Sequence, residues 1–451
     1  MASAGSNHRQ RAEQAPAAGL DDLMSLPPEM LNNILARLPF EELVRTSRLS
    51  RAWRRRWESV PGLDIRLDPE SAAAPGARSM WRCSAPVAGL TARVRARHFH
   101  RAARWLLALA RKRVEKLVLR FDNPWDFESS PVVGPALFSC AALADLQLYG
   151  YCHMLRAPPG FQGFPNLVTL VLDNLLLPFS GAAAQLQRII SSAPGLTELS
   201  LYDVIAGGPG ADFEICAIRA PCLRVLKLFI FLDNGCRLAE DLPLLEEASI
   251  SIDVLFGTPA FLDTFRRISN VKKLSFRTDS ELVKVNPLKK ISWKFQNLRV
   301  AHLTANFGSL PSIWSIFSLL RFGPHVEELH IQADKPFAVF EGLFPAALGA
   351  VDLDDNIDQD VLDAKISDDL FANLKHISLE DMNCLPNDMW FMKVLLSKAG
   401  LLQSFVVTLD YGGETESYEE ACAELEAFER ASPQAQLELR LAEMPDYLED
   451  F

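Results

Sequence analysis

The chain has 451 residues, of which 49% are hydrophobic and 23% charged, a composition typical of folded globular proteins. This length exceeds what one small hydrophobic core can serve, so we expect two or more structural units. The net charge of −11 argues against a nucleic-acid partner, because an acidic body repels phosphate backbones. The longest apolar runs are shorter than the roughly 18 residues of a membrane-spanning helix, so no membrane partner is predicted.

Charge is nevertheless distributed unevenly. Residues 1–113 hold 20 Lys and Arg against 10 Asp and Glu, a balance of +10, whereas the remainder holds 26 against 47, a balance of −21. The basic residues at 54–56 and 93–113 fall among apolar residues on predicted helices. We therefore interpret them as solvated helix faces rather than as a nucleic-acid site.

The eight cysteines are scattered, without a CxxC pair or zinc-finger spacing. This usage predicts reduced thiols and a cytoplasmic or nuclear location. Residues 1–19 are small and polar and lack the apolar stretch of a secretory signal, so we expect a disordered tail there.

The stretch 20–62 predicts three short helices. Pro28 suits the first turn of a helix, and Pro39 ends it. Between them apolar residues recur at i, i+3, i+4 and i+7 and form one stripe: Leu31, Ile34, Leu35 and Leu38. Two further apolar sets mark the second and third helices: Phe40, Leu43 and Val44, then Leu49, Ala52, Trp53, Trp57 and Val60.

About 40 residues bury too little surface to be stable alone without disulfides, a metal or a partner. This stretch contains no cysteine and no metal-binding pattern. Its apolar stripe must therefore be covered either by the rest of the chain, as a helical cap, or by another protein.

The order of residues here resembles the F-box of plant proteins: Leu26-Pro27-x-Glu29-x-Leu31-x-x-Ile34-Leu35-x-x-Leu38-Pro39, then Glu42-Leu43-Val44-Arg45-Thr46-Ser47-x-Leu49-Ser50-x-x-Trp53-Arg54-x-x-Trp57. In that family the first helices pack on the Skp-type adaptor of a cullin–RING ubiquitin ligase. The resemblance implies that Trp53 and Trp57 are internal. It also implies an adaptor-binding surface of seven residues: Leu26, Pro27, Leu31, Ile34, Leu35, Leu38 and Pro39.

Residues 63–113 are predicted to form a linker and the N-terminal cap of the next unit. Leu63, Ile65 and Leu67 alternate as in a short strand. Sequence rich in Pro, Ala and Gly then predicts a loop to about Gly89. The segment 98–112 predicts an amphipathic helix.

Over 114–409 one pattern recurs: an apolar residue, two others, then an alternating L-x-L. It starts at residues 114, 143, 167, 196, 223, 245, 271, 298, 326, 348, 374 and 401, in steps of 22 to 29 residues. This period is typical of leucine-rich repeats. Helices are predicted between some strands, at 185–193, 261–268, 313–320 and 389–398.

A single repeat cannot cover its own apolar side, so repeats stack, with parallel strands on the concave face and helices outside. The rival architecture, two α/β domains, is disfavoured because the alternation is so regular and no glycine-rich phosphate loop occurs. The predicted fold class is therefore α+β and multi-domain: a small three-helix F-box followed by an α/β leucine-rich-repeat solenoid.

The segment 410–451 departs from the repeat. A turn at 411–413 precedes a predicted helix at 419–430 and a final strand containing Leu437, Leu439 and Leu441. The string Arg430-Ala431-Ser432-Pro433-Gln434-Ala435 resembles the C-terminal FBD module of plant F-box/leucine-rich-repeat proteins. The resemblance implies an FBD-like cap over the last repeat.

Outward-pointing residues of the predicted strands form the candidate target-binding surface. Their mixed charge and exposed aromatic rings suit a protein or peptide partner. The predicted target-binding residues are Lys116, Arg120, Tyr149, Tyr202, Phe229, Arg277, His302 and His330.

The segment 352–363 places acidic residues at the spacing of a calcium loop, but Ile357 replaces the turn glycine and Asp363 the bidentate glutamate. We interpret it as an exposed acidic turn. The sequence carries no catalytic motif, phosphate loop or dinucleotide fingerprint. No enzymatic activity, metal or cofactor is therefore predicted.

The resemblance to plant F-box proteins implies a substrate-recognition subunit of a cullin–RING ubiquitin ligase, with the F-box docking the Skp-type adaptor and the repeats binding a target protein. The alternative is a non-ligase repeat scaffold in which the helical head only caps the solenoid. A third hypothesis, a small-molecule sensor, is less favoured because the concave face is mixed and rather acidic.

Overall fold

The computed structural model describes residues 23, 25–60, 62–67, 87–122, 130–207, 216–230, 236–252, 259–278, 292–307, 310–333, 366–409 and 415–442. Its N-terminal head begins with helices α1 (Pro28–Leu35) and α2 (Phe40–Arg45). Pro28 lies in the first turn of α1, where its missing N–H costs no hydrogen bond.

The predicted third helix of the head is wrong as a continuous α-helix. The segment marked by Leu49 to Val60 instead forms turns at 49 and 51–55 and one 3-10 turn, Arg56–Ser59. Within it the Ser59 hydroxyl competes with the helical ladder, since its Oγ donates to the Arg56 carbonyl at 2.8 Å.

The head and the repeats share one hydrophobic core. Phe40 meets the Trp57 ring edge-on, with ring centroids 6.0 Å apart, and α2 packs against the first strand of the repeats. The burial of Trp53 and Trp57 confirms their predicted place in the interior. Because this core is continuous with the solenoid, the small head is not left to stabilise itself.

Within the residues described, the main sheet has fourteen parallel strands in the order β1-β2-β3-β5-β7-β9-β12-β14-β15-β16-β17-β18-β19-β20. Their bounds are β1 Leu63–Leu67, β2 Val87–Arg95, β3 Lys116–Asp122, β5 Asp145–Tyr149, β7 Thr169–Asp173, β9 Glu198–Tyr202, β12 Val225–Ile230, β14 Glu247–Ile252, β15 Lys273–Thr278, β16 Val300–Ala305, β17 Glu328–Ala333, β18 His376–Met382, β19 Ser404–Leu409 and β20 Gln436–Leu441.

Two smaller parallel sheets lie beside the main sheet. One has four strands in the order β10-β8-β6-β4 and the other pairs β11 with β13. Their bounds are β4 Val132–Val133, β6 Cys152–Met154, β8 Leu175–Leu177, β10 Ile205–Ala206, β11 Cys216–Ile218 and β13 Cys236–Leu238.

In the described ranges, six further helices separate strands of the main sheet. They are α3 Phe99–Arg111, α4 Ala182–Ser191, α5 Pro259–Arg267, α6 Leu310–Phe322, α7 Pro386–Lys398 and α8 Thr415–Ala427. Each overlaps a helix predicted from the sequence, with ends that differ by a few residues, as is usual for helix boundaries.

The repeat prediction is confirmed where the structure describes it, since eleven of the twelve predicted starts lead into a strand of the main sheet. The start at 348 lies outside the described residues, and β17 hydrogen-bonds directly to β18. The acidic segment 352–363 lies outside them as well.

Strand β2 lies within the segment 63–113, which was predicted as a linker and an N-terminal cap. It pairs with β1 on one side and with β3 on the other, so the main sheet extends beyond the predicted first repeat. Its outward-pointing residues include Thr91, Arg93 and Arg95, and its inward-pointing residues do not form the L-x-L pattern. The repeat pattern therefore did not predict this strand. Arg93 and Arg95 consequently lie on a strand rather than on the predicted helix face.

Two ladders of apolar side chains form the repeat core, as the alternation of the strands requires. One ladder contains Ile65, Leu90, Leu117, Leu146, Leu170, Leu199, Leu226, Ala248, Leu274, Ala301, Leu329, Ile377, Phe405 and Leu437. All of them are buried except Leu437, which lies on the last strand and is half-buried.

A left-handed residue ends the strand in three successive repeats. Gly150, Asn174 and Asp203 have φ of 86°, 56° and 48° and lead into β6, β8 and the β10 region. Asn174 also bridges its neighbours: its N–H donates to the Tyr202 carbonyl at 2.8 Å and its carbonyl accepts the Cys152 N–H at 3.2 Å. Glycine, asparagine and aspartate tolerate this conformation best.

Gly150→Ala should destabilise the chain by about 2 kcal/mol or more, because the added Cβ would lie 2.4 Å from the Phe121 carbonyl oxygen at a strained φ. Gly195→Ala is the matched control, since nothing lies within 4 Å of the position that the new Cβ would occupy there. Urea unfolding followed by circular dichroism measures both. Equal midpoints for the two variants would contradict the expected clash.

Candidate protein-binding surfaces

In the described part of the head, three exposed apolar residues cluster along α1 and just beyond it, and we call them the head patch: Met30, Ile34 and Leu38. Their side chains are 55%, 46% and 39% exposed. Positions four apart lie on one side of a helix, so Met30 and Ile34 are neighbours and Leu38 follows just beyond the end of α1. Large apolar side chains clustered on a surface mark interaction sites more often than isolated ones do.

The structure divides the seven residues predicted to contact the adaptor. Pro27, Ile34, Leu38 and Pro39 are exposed and Leu26 is half-buried. Leu31 and Leu35 are each only 2% exposed and belong to the core that contains Trp53 and Trp57. In this conformation Leu31 and Leu35 support the surface from beneath, and adaptor contact by the seven residues stays a prediction.

Arg56 holds the helix of the head patch in place. Its Nη2 donates to the Pro28 carbonyl and to Asn32 Oδ1, both at 3.0 Å. The guanidinium thus joins the 3-10 turn to the start of α1. No sequence signal pointed to this contact, because it joins residues 28 positions apart.

Leu31→Ala should lower the free energy of unfolding by about 2–5 kcal/mol, because it removes buried volume from the head core. Ile34→Ala, one turn away on the exposed side, should change it by less than about 0.5 kcal/mol. Chemical denaturation of both variants tests this division. A loss at Ile34→Ala as large as at Leu31→Ala would show that the head patch is covered within the chain.

The second surface is the open face of the main sheet, formed by the outward-pointing residues of its strands. All eight predicted target-binding residues lie on it and are half-buried or exposed. The strand register sorts them into rows. Lys116 belongs to a first row, His302 and His330 to a middle row, and five residues to a third row: Arg120, Tyr149, Tyr202, Phe229 and Arg277.

Contacts within the first strands order the beginning of this face. The Arg120 guanidinium carbon lies 4.2 Å from the centroid of the Tyr149 ring, a cation–π contact. Lys116 Nζ lies 3.2 Å from Asp145 Oδ2. Gln147 connects the two pairs, since its Nε2 donates to Asp145 and its Oε1 accepts the Tyr149 hydroxyl.

Two acidic residues that were not among the predicted target-binding residues, Asp173 and Asp203, also lie in this region. Leu148 pairs with Leu172, which places Asp173 beside Tyr149, and Asp173 pairs with Tyr202 on its other side. Asp203 follows Tyr202 in the turn. The signal for Asp173 was present, because it occupies the same repeat position as Tyr149, whereas no sequence signal marked the left-handed turn that places Asp203.

Burial changes the acid–base properties of this region. Desolvation raises the pKa of Asp173, although a hydrogen bond from Asn174 and the charge of Arg120 act in the opposite direction. Desolvation, followed by the negative charge of Asp173, raises the pKa of Asp203. The pKa of the Tyr202 hydroxyl is raised for the same two reasons.

The two predicted histidines form a stacked pair on the open face. The ring centroids of His302 and His330 are 4.3 Å apart, and the ring planes differ by 21°. Burial, then the positive charges of His330 and Lys273, lowers the pKa of His302 to about 4, while Glu328 acts in the opposite direction. The His302 ring is therefore neutral in the folded chain above about pH 4.

The described part of the chain contains no grouping of His, Cys, Asp and Glu suited to hold a metal ion. None of its helices is long and apolar enough to span a bilayer. What the geometry does provide is two exposed surfaces, one apolar on the head and one mixed in charge along the sheet.

The fold and these surfaces define a leucine-rich-repeat solenoid with a small helical head. A family model described as FBD-associated F-box protein At5g56370, LRR repeats, matches residues 102–331, and the F-box domain model matches residues 23–63. The chain belongs to the family of FBD-associated F-box proteins with leucine-rich repeats.

Similar proteins from Arabidopsis thaliana agree with this family. F-box/FBD/LRR-repeat protein At1g13570 is 26% identical over 452 residues, which covers 92% of this chain and 98% of the relative. F-box/LRR-repeat protein At3g26922 is 26% identical over 286 residues, which covers 56% of this chain and 89% of the relative. The boundaries predicted for the F-box and for the FBD-like cap stay predictions.

The low pKa of His302 predicts that acid destabilises the fold. The unfolded chain, with an ordinary histidine pKa near 6.5, binds a proton before the folded chain does. The free energy of unfolding should therefore fall as pH drops from about 6.5 to 4. His302→Gln should reduce this decline, as measured by urea unfolding at several pH values. An NMR titration midpoint for His302 at 6.5 or higher would contradict the lowered pKa.

Proposed function

We propose that this chain is the substrate-recognition subunit of a cullin–RING ubiquitin ligase. The F-box head binds a Skp-type adaptor and through it a cullin, and the open face of the repeats binds a target protein. Proteins of this family are generally non-catalytic adaptors. In this role the chain contributes proximity, because holding the target near a ubiquitin-charged enzyme replaces a bimolecular encounter.

The observation that carries the proposal is the head patch. α1 packs one side, through Leu31 and Leu35, into the shared core, yet leaves Met30, Ile34 and Leu38 exposed on the other. A cap that served the solenoid alone would have no use for this second apolar side. An adaptor that covers it would remove apolar area from water, at roughly 25 cal/mol for each Å².

The competing function, a repeat scaffold outside any ligase, is favoured by one feature: the head core continues into β1 and the repeats. Such continuity is what a cap requires. The two functions differ in whether the head binds an adaptor.

We further propose a cytoplasmic or nuclear location, which the free thiols of the described cysteines support.

Ile34→Arg/Leu38→Arg should abolish co-purification of the full chain with a plant Skp-type adaptor. Two charges placed in a desolvated apolar interface should weaken binding at least about a hundredfold. The matched control is Leu244→Arg, which changes an equally exposed leucine on the repeats and should leave adaptor binding intact. Circular dichroism confirms that both variants are folded.

If the wild-type chain binds the adaptor and only the head variant loses it, the ligase function stands. If the wild-type chain does not bind the adaptor, the head is a cap and the scaffold function replaces it. Loss of binding in both variants would place the contact elsewhere and overturn the role of the head patch.

A further inference from the structure

Four residues of the open face form what we call the aromatic–carboxylate cluster: Tyr149, Asp173, Tyr202 and Asp203. The register places the Asp173 side chain between the two tyrosines, on neighbouring strands of the sheet. Asp203 directly follows Tyr202, at the left-handed turn. Residues from three successive repeats thus meet at one position on the surface.

The carboxylates of this cluster are incompletely neutralised. Asp173 Oδ1 accepts a hydrogen bond from Asn174 Nδ2 at 2.8 Å. Asp203 Oδ1 is buried and has no hydrogen-bond partner among the residues described. Burial, followed by the negative charge of Asp173, raises the pKa of Asp203, and a bound cation beside these carboxylates would offset both effects.

The charges bordering the cluster leave it acidic. Glu198 lies on the same strand as Tyr202, and its charge raises the pKa of both tyrosines. Arg120 is the cation whose charge lowers the pKa of Asp173. Asp145 does not add to the excess, because Lys116 pairs with it at 3.2 Å. Among the described residues near the cluster, three carboxylates, those of Asp173, Glu198 and Asp203, therefore outnumber two cations, Arg120 and Lys227, the second of which pairs with Ser200 on β9.

The aromatic rings suit the same kind of ligand. Arg120 already places its guanidinium 4.2 Å from the Tyr149 ring centroid, which shows that the geometry of this row accommodates a cation against a ring. Tyr202 occupies the same row two strands further on and is half-buried beside Phe229. A long cationic side chain gains from both features, because its stem packs on rings and its head meets carboxylates.

We propose that the aromatic–carboxylate cluster binds a lysine or arginine side chain of the target protein. The proposal deepens the proposed function, on which it rests, by naming the chemistry that the target must present. An acidic segment would be repelled by the three carboxylates. A purely apolar segment would leave Asp203 desolvated without a partner, which costs more than the apolar contact gains.

The test uses the full chain labelled with 3-fluorotyrosine, because the sequence holds only six tyrosines and two of them belong to the cluster. The probes are N-acetyl-arginine methylamide and N-acetyl-lysine methylamide, with N-acetyl-norleucine methylamide as the uncharged counterpart. Tyr149→Phe and Tyr202→Phe assign the two resonances. The cationic probes should shift both resonances saturably at millimolar concentrations, and norleucine should shift neither.

Asp173→Asn/Asp203→Asn should weaken binding of the cationic probes at least about fivefold. Asparagine suits both positions, since it keeps a hydrogen-bond acceptor at 173, and Asn174 already adopts the left-handed conformation in the preceding repeat. Glu380→Gln, at the far end of the same row, is the matched control and should bind as wild type does. Tyr202→Leu should weaken binding about threefold, whereas Tyr202→Phe should retain it.

Shifts of equal size with norleucine, or unchanged affinity in the double asparagine variant, would overturn the inference. Unchanged tyrosine resonances with both cationic probes would overturn it as well. Adaptor co-purification is measured on the same variants. Adaptor binding without cation binding would overturn the inference alone, and cation binding without adaptor binding would overturn the ligase function while leaving the cluster as a site.

Discussion

The structure depends on one constraint: a repeat cannot bury its own apolar side. Each strand presents two inward residues, as Leu199 and Leu201 do, and these are covered only by the strands before and after. Stacking in register solves this at every step, so the core becomes a continuous pair of ladders. The ladders loosen at β20, where Leu437 and Leu439 are half-buried.

The same constraint explains the head. On its own the F-box stretch would bury too little surface, and the structure adds its core to that of β1 instead of building a separate one. This attachment uses one side of α1 and leaves the other exposed. A head anchored in this way presents its apolar patch on a rigid support, which suits a site for a protein partner.

Because the ladders carry the stability, the outward rows are free to differ from repeat to repeat. They hold arginine and lysine near the first strands, tyrosine and aspartate in the next repeats, and a histidine pair later. Neighbouring strands bring together residues that are 24 to 29 positions apart in sequence, as with Tyr149, Asp173 and Tyr202. Recognition on such a face is therefore a property of stacked repeats and not of any single one.

The alternation of apolar residues and the repeat period by themselves determined the strands, their parallel order and the outward direction of residues such as Arg120 and His302. They did not predict β2, in which Ala92 stands where the L-x-L pattern has its second leucine, or the breaks in the third helix of the head. They also could not tell Leu31 and Leu35, which are buried, from Ile34, which is exposed. A sequence pattern shows which residues avoid water; only tertiary packing decides which neighbour covers them, and which remain for a partner.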